Sequence, residues 1–450
     1  MEIQKNIYQN KLELQCKENM VYIIALSILT ICILAQVLIV KRFGITGLFN
    51  NPISISIFFF ELIHLFMPVL QWYAGYFRYA PSYDEFYYSL SLVYCGFLFV
   101  VYIFIFFYKF DYFINSQESG NLYLTPTNSN RFLVFSWIVL IVGIYFSFKN
   151  ILNINAIGVD SYLKDRIGFS AGQGYKILFS HWTYISCILF YLGYLISDKK
   201  KVFFLSFIFS LIYCFIYYSV NSNRNSLFVL VISLVVFYLY FKKGERSALF
   251  SKLIKAFSLS IFIFAFYLIG KFRTSSVNSN QDDYGFIHSL NGAFGNHENI
   301  AWLFENDYGL LLGQTYLASF LNLIPRSLWE DKPFGAGPEL KNMIYPGSYV
   351  LGQEGNSSLT TGLFTETLMN FGIIGSFPAV FLIAFFIFII LAILRQMKNP
   401  IGKILYIYLF MLFSTQFFYA EFLGFYTRTL FTCIPIILLA FFVKFNRKEH

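Results

Sequence analysis

Apolar runs of about 20 residues recur along most of the chain, each long enough to cross a hydrocarbon core as a helix. Only helices or closed barrels satisfy their backbone polar groups in lipid, and these runs are too long and unbroken for barrel strands. The composition agrees: 57% apolar, 22% aromatic and only 13% charged residues exceed what one water-soluble core can hide. The expected fold is therefore all-α, a single polytopic membrane domain over residues 1–450. About eleven spans (ten to twelve) are expected, near Val21–Val40, Ile53–Tyr73, Tyr87–Tyr108, Phe132–Phe148, Ile177–Ser197, Val202–Val220, Ser226–Phe241, Ala256–Gly270, Phe371–Leu394, Ile404–Ala420 and Tyr426–Val443. Leu310–Leu323 is apolar but shorter, and reads as a helix on the surface or packed in a loop.

Orientation follows from basic residues in the short connections. Lys41, Arg42, Lys109, Arg131, Lys199, Lys200, Lys201, Lys242, Lys243, Arg246, Lys252, Lys255, Arg395, Lys398, Lys403, Lys444, Arg447 and Lys448 fall on one side, against Arg78 and Arg224 on the other. The first side is assigned to the cytoplasm. Two sizeable loops then lie outside, at residues 149–176 and 271–358, the second followed by a helix-like segment at 359–375. The net charge of +9 belongs to this topogenic rim, so it does not point to nucleic acid. The first apolar run lacks a small-residue cleavage site and is expected to remain as a span.

The six cysteines form no Cys-x-x-Cys pair, the five histidines lack metal-ligand spacing along the chain, and Walker and Rossmann glycine patterns are missing. The expectation is chemistry without a metal or cofactor. The outer face instead carries arginines: Arg166 in the first loop, Arg224 in the very short loop NSNRNS, Arg273 after the eighth span, and Arg326 in IPRSLWEDKPFGAG. Guanidinium forks at headgroup level suit a diphosphate, although arginines at helix ends also snorkel to the interface without a ligand. Lys332 adds charge in the same loop. Trp329, with other aromatics, reads as a sugar-stacking platform or as packing.

Glu366 lies on the segment after the large loop with Gly362 and Asn370 four residues to either side, on one helical face. It reads as a general base or as a structural carboxylate paired inside the bundle. His297 and Glu298, in GNHENIAW, are the alternative base, or a solvated loop turn preceding a helix. Glu61 and His64, three apart near mid-span, read as a structural pair with each other or as a proton relay.

On these residues the chain resembles the Wzy-type polymerases of O-antigen and related bacterial polysaccharides. The likeness rests on the many spans, the large late outer loop, Arg326 followed after ten residues by Gly337, and the Asn370-Phe371-Gly372 and Gly375 stretch. Arg166 with Gly168, Gly172 and Gly174 occupies the place of that family's other outer loop, with different spacing. The resemblance implies a GT-C-like fold in the bacterial inner membrane with its site facing the periplasm. It also implies a glycosyltransferase that moves a growing glycan from undecaprenyl diphosphate onto a lipid-linked repeat unit. Its partners would be that lipid-linked oligosaccharide, membrane lipid and a chain-length regulator protein. An O-antigen ligase and a flippase or exporter of lipid-linked oligosaccharide are the alternatives. The ligase family uses a histidine near the start of the segment after the large loop, where this chain reads NSSLTTG.

Overall fold

A computed structural model describes residues 20–44, 48, 51–79, 83–108, 122–158, 174–221, 224–241, 290–291, 294–324, 328–329, 331–350, 358–397, 400–444 and 446–447. Apart from one two-residue antiparallel pairing, Leu122–Tyr123 with Asn446–Arg447, its regular structure is helical. Nine of the described helices are long and apolar enough to cross a membrane. They are α1 (Met20–Phe43), α2 (Pro52–Ala74), α3 (Glu85–Tyr108), α4 (Pro126–Ile157), α5 (Tyr175–Ile196), α6 (Lys200–Val220), α11 (Gly362–Gln396), α12 (Pro400–Thr415, extended by Gln416–Phe418) and α13 (Phe422–Phe442). The protein is thus a multi-pass helical membrane protein. A tenth expected span corresponds to α7 (Arg224–Phe241), whose apolar part, Ser226–Tyr238, is shorter. The eleventh, Ala256–Gly270, lies outside the described residues, as do Arg166, Arg273 and Arg326.

Three short helices belong to the large loop: α8 (His297–Glu305), α9 (Gln314–Leu321) and α10 (Ala336–Ile344). The apolar stretch Leu310–Leu323 is accordingly not a span. Its helical part, α9, packs on α11 and α13, with Phe320 against the rings of Phe422 and Tyr426.

The outward faces of the spans carry large apolar side chains, such as Ile23, Leu26, Leu38, Phe104, Leu205 and Phe386, which is what lipid contact requires. Inside, helices are joined by small residues and by hydroxyl and amide groups. Gly143 of α4 lies against the backbone of Trp182 and Thr183 on α5. Tyr184 bonds Tyr408 at 3.0 Å, and Tyr408 donates to Thr432 at 2.9 Å, linking α5, α12 and α13.

α11 consists of two unlike halves. Every residue from Gly362 to Asn370 is buried, whereas beyond the break only one seam is: Ser376, Val380, Ala384, Ile387 and Leu391, at spacings of three and four. The break is Gly372, at φ 67° and ψ −174°, a conformation essentially confined to glycine. A helix that stops there exposes its last carbonyls, and the loop supplies their donors. The N–H groups of Leu311 and Leu312 reach the carbonyls of Met369 and Asn370 at 3.1 and 3.0 Å, and Gly313 N–H reaches the Asn370 side-chain oxygen at 2.9 Å. Leu312 takes a positive φ of 49° to make this turn. The first half of α11 is therefore a separate buried half-helix, capped by the loop.

The α4–α5 contact tests the packing. A Cβ on Gly143 would sit 2.6 Å from the Thr183 amide nitrogen. Gly143→Leu is expected to destabilise by about 1–3 kcal/mol through overpacking, read as a lower unfolding midpoint in detergent. Gly309→Ala, where nothing lies within 4 Å of the added carbon, should leave the midpoint unchanged.

Candidate active site

The loop helices pack into the bundle, α8 against α3, α11 and the end of α2, and α9 against α13 and α11, and they bring a set of buried polar side chains with them. Two asparagines set the start of α8. Asn296 donates to the Tyr419 carbonyl at 2.7 Å and accepts from the Thr360 hydroxyl at 2.6 Å, while Asn299 donates to the Thr360 carbonyl at 2.6 Å.

Glu366 sits mid-way along the half-helix, 1% exposed. Its Oε1 accepts from the Thr315 hydroxyl of α9 at 2.7 Å, and its Oε2 accepts from the Phe422 amide at 2.7 Å. Phe422 opens α13, so the carboxylate satisfies one of that helix's otherwise unpaired N–H groups at its positive end. Asn370, one turn along, donates to the Thr315 hydroxyl at 2.8 Å and to the Glu366 carbonyl at 2.7 Å. Glu366, Asn370 and Thr315 are one connected unit.

A second carboxylate lies beside it. Glu421 is the residue before α13, within electrostatic reach of Glu366. Its Oε2 accepts from the Gly337 amide at 2.7 Å. Burial pushes the Glu421 carboxyl above the ordinary carboxylate range, and the Gly337 N–H pulls it part of the way back. Gly337 tolerates no side chain, because a Cβ there would press on the Leu359 carbonyl oxygen. A buried and a half-buried carboxylate side by side at one helix start are an arrangement from which general acid and base roles are built.

Glu298 is differently placed. Its Oε1 accepts the backbone N–H of Arg78, that of Tyr79 at 2.9 Å and the Tyr83 hydroxyl at 3.3 Å; its Oε2 accepts from the Gln71 amide at 3.1 Å. Burial raises its carboxyl, opposed by the Arg78 guanidinium and the two amides. Arg78 itself donates to the Asn291 carbonyl at 2.8 Å, and Gln71 to the Asn291 side-chain oxygen at 2.9 Å. A carboxylate holding four donors is a tether between the loop and the α2–α3 turn. His297, next in the chain, points the other way, into the bundle. Its ring faces His64, Cys95 and Ser91, and burial pushes the imidazole down to about 3, keeping it neutral.

Of the residues singled out from the sequence, the structure brings Glu366, Asn370 and, through Glu421, Gly337 to one place. Lys332 is 6% exposed and donates to the Ile324 carbonyl at 2.9 Å. Trp329 is exposed on the loop surface. Arg224 begins α7, with its side chain outside the described residues. The expected Glu61–His64 pair is not formed: Glu61 accepts from Gln36 at 3.1 Å, and His64 meets His297 at 3.3 Å. The helix is π-wound over Leu62–Phe66, so residues three apart no longer share a face. Glu421 and Thr315 were not singled out from the sequence, and Arg78 entered only as a marker of topology. The signal for Glu421 was present, as a lone acid between two apolar spans in YAEFLG.

Comparison of the chain with protein families, with curated proteins and with solved structures finds no match.

Glu298→Ala would leave the Gln71, Tyr83, Arg78 and Tyr79 donors unanswered in a buried place. A loss of about 3–5 kcal/mol is expected, measured as a lowered thermal midpoint in detergent together with faster proteolysis of the loop. Glu305→Ala, exposed at the end of the same helix, should stay within about 0.5 kcal/mol of the parent.

Proposed function

We propose that this protein is a glycosyltransferase of the polysaccharide-polymerase kind, resembling the Wzy-type enzymes. It would transfer a growing glycan from undecaprenyl diphosphate onto a lipid-linked repeat unit at the periplasmic face of a bacterial inner membrane. The observation that carries this reading is the buried Glu366 with the half-buried Glu421 beside it. The two lie on the half-helix and the α13 start beneath loop helix α9, and that end of the bundle is assigned to the headgroup level, where a lipid-linked substrate would meet an aqueous acceptor.

The chemistry asks for little else. A diphosphate is already a good leaving group, so the protein needs a base for the attacking hydroxyl and positive donors for the charge that develops on the phosphates. Glu366 is assigned the base, oriented by Thr315 and by the Phe422 amide; to take a proton it must give up part of one of these bonds. Glu421 sits beside it as a second proton-holding group and fixes Gly337 of the loop. Arg224, with Arg166, Arg273 and Arg326, is assigned to the diphosphate, and Lys332 to the loop near the donor. Trp329, exposed, is assigned to a sugar face. Glu298 and His297 are assigned to holding the loop.

The test is a surface-polysaccharide gel from a deletion strain complemented with wild type, Glu366→Gln or Arg224→Ala, with membrane abundance checked by immunoblot. Loss of a general base costs about 10²–10⁴-fold in rate, so the ladder should collapse to core bearing a single repeat unit in the deletion and in both variants. Disappearance of all attached polysaccharide from the deletion strain would identify a ligase or flippase instead, and an unchanged ladder would remove the protein from this pathway.

A further inference from the structure

Behind the tether, inside the bundle, three side chains from three separate elements converge: His64 of α2, Cys95 of α3 and His297 of α8. The His64 and His297 Nδ1 atoms are 3.3 Å apart, Cys95 Sγ is 3.6 Å from His297 Nδ1, and all three ligand atoms lie within 4.8 Å of one another. Each residue is at most 2% exposed.

The hydrogens do not account for this contact set. Ser91 gives its only hydroxyl hydrogen to the Tyr88 carbonyl at 2.6 Å, and its oxygen lies 2.8 Å from His297 Nε2. The ring must therefore donate from Nε2, which leaves Nδ1 bare. That nitrogen has one in-plane lone pair, yet both His64 Nδ1 and Cys95 Sγ face it. As hydrogen bonds, two donors compete for one acceptor. As ligands, all three atoms are used.

Two of the three spacings are those of a coordination sphere, and the third is no more than 4.8 Å. With bonds of about 2.0–2.1 Å to nitrogen and about 2.3 Å to sulfur, at angles from tetrahedral to trigonal, two nitrogens stand about 3.3–3.6 Å apart and a nitrogen and a sulfur about 3.6–3.8 Å apart. The Ser91 contact to the far ring nitrogen is the orienting bond that metal-bound histidines make. A distorted helix presents His64: the turn is π-wound over Leu62–Phe66, and Pro68 lacks the amide that would close on the His64 carbonyl. Such π turns gather at functional sites.

We propose that His64, Cys95 and His297 form a binding site for a soft monovalent cation, Cu⁺. Thiolate with two imidazoles selects copper or zinc over hard ions. One thiolate neutralises one positive charge, so a Cu⁺ site is uncharged, whereas Zn²⁺ would leave a net charge among Phe60, Phe364 and Tyr88. The ion fastens α8, and with it the loop, to α2 and α3. This role is independent of the glycan reading.

The test uses the full chain in detergent, purified under reductant, loaded anaerobically with Cu⁺ and desalted against a moderate Cu⁺ chelator. About one copper per chain is expected in wild type and in Cys433→Ser, a buried cysteine elsewhere, and near-complete loss in Cys95→Ser and His64→Asn. X-ray absorption at the copper edge of the wild-type protein needs no variant, and should show one sulfur and two nitrogen neighbours. Absence of copper after loading, retention of it in Cys95→Ser, a sulfur-free copper shell, or one zinc in its place would each overturn the proposal.

Discussion

The Glu298 carboxylate is where the large loop is joined to the end of α2 and the α2–α3 turn. The loop helices bury apolar side chains such as Ile300, Ala301 and Leu303 in the bundle, and a buried acid with several donors adds direction to that packing. Two of its donors are backbone amides of the α2–α3 turn, which fixes the course of the chain and not merely a side chain. From that point Asn296 and Asn299 carry the connection to Thr360 and Tyr419, and Thr315 and Asn370 carry it to Glu366. The position of the candidate acid–base pair is thus inherited from contacts made on the opposite face of the loop.

The membrane class was legible because lipid acts on composition and run length, quantities read along a line. The spans expected at Ile53–Tyr73, Tyr87–Tyr108 and Ile404–Ala420 coincide with described helices to within a few residues. The break at Gly372 was also within reach: the expected span began at Phe371, one residue before the glycine where the helix changes character. Glu366 and Asn370, four residues apart, do share a face as helical spacing requires.

What stayed hidden lies far apart in sequence. Arg78 and Glu298 are 220 residues apart, and His64 and His297 are 233 apart; no local period connects them. Metal-ligand spacing sought along the chain therefore missed a convergence that only three-dimensional packing produces. Glu61 and His64 failed for the opposite reason. Their spacing was short and the rule applied to them was sound for an α-helix, but Pro68 and the widened turn rotate one residue away from the other.

The glycine break in α11 has a mechanical consequence. The half-helix that carries Glu366 is enclosed by protein on all sides, while the portion beyond Gly372 leaves most of its circumference on the outside of the bundle. A bilayer thicker or thinner than the hydrophobic length of a span is accommodated by tilt. In an unbroken helix that tilt would be handed rigidly to its other end. Here the strain ends at a joint, and the short segment above it is clamped by Leu311, Leu312 and Gly313 instead of by its own continuation. Along α11, tilt of the lower portion is thus not passed to Glu366, and the coupling that remains comes through α13, whose first amide donates to the carboxylate.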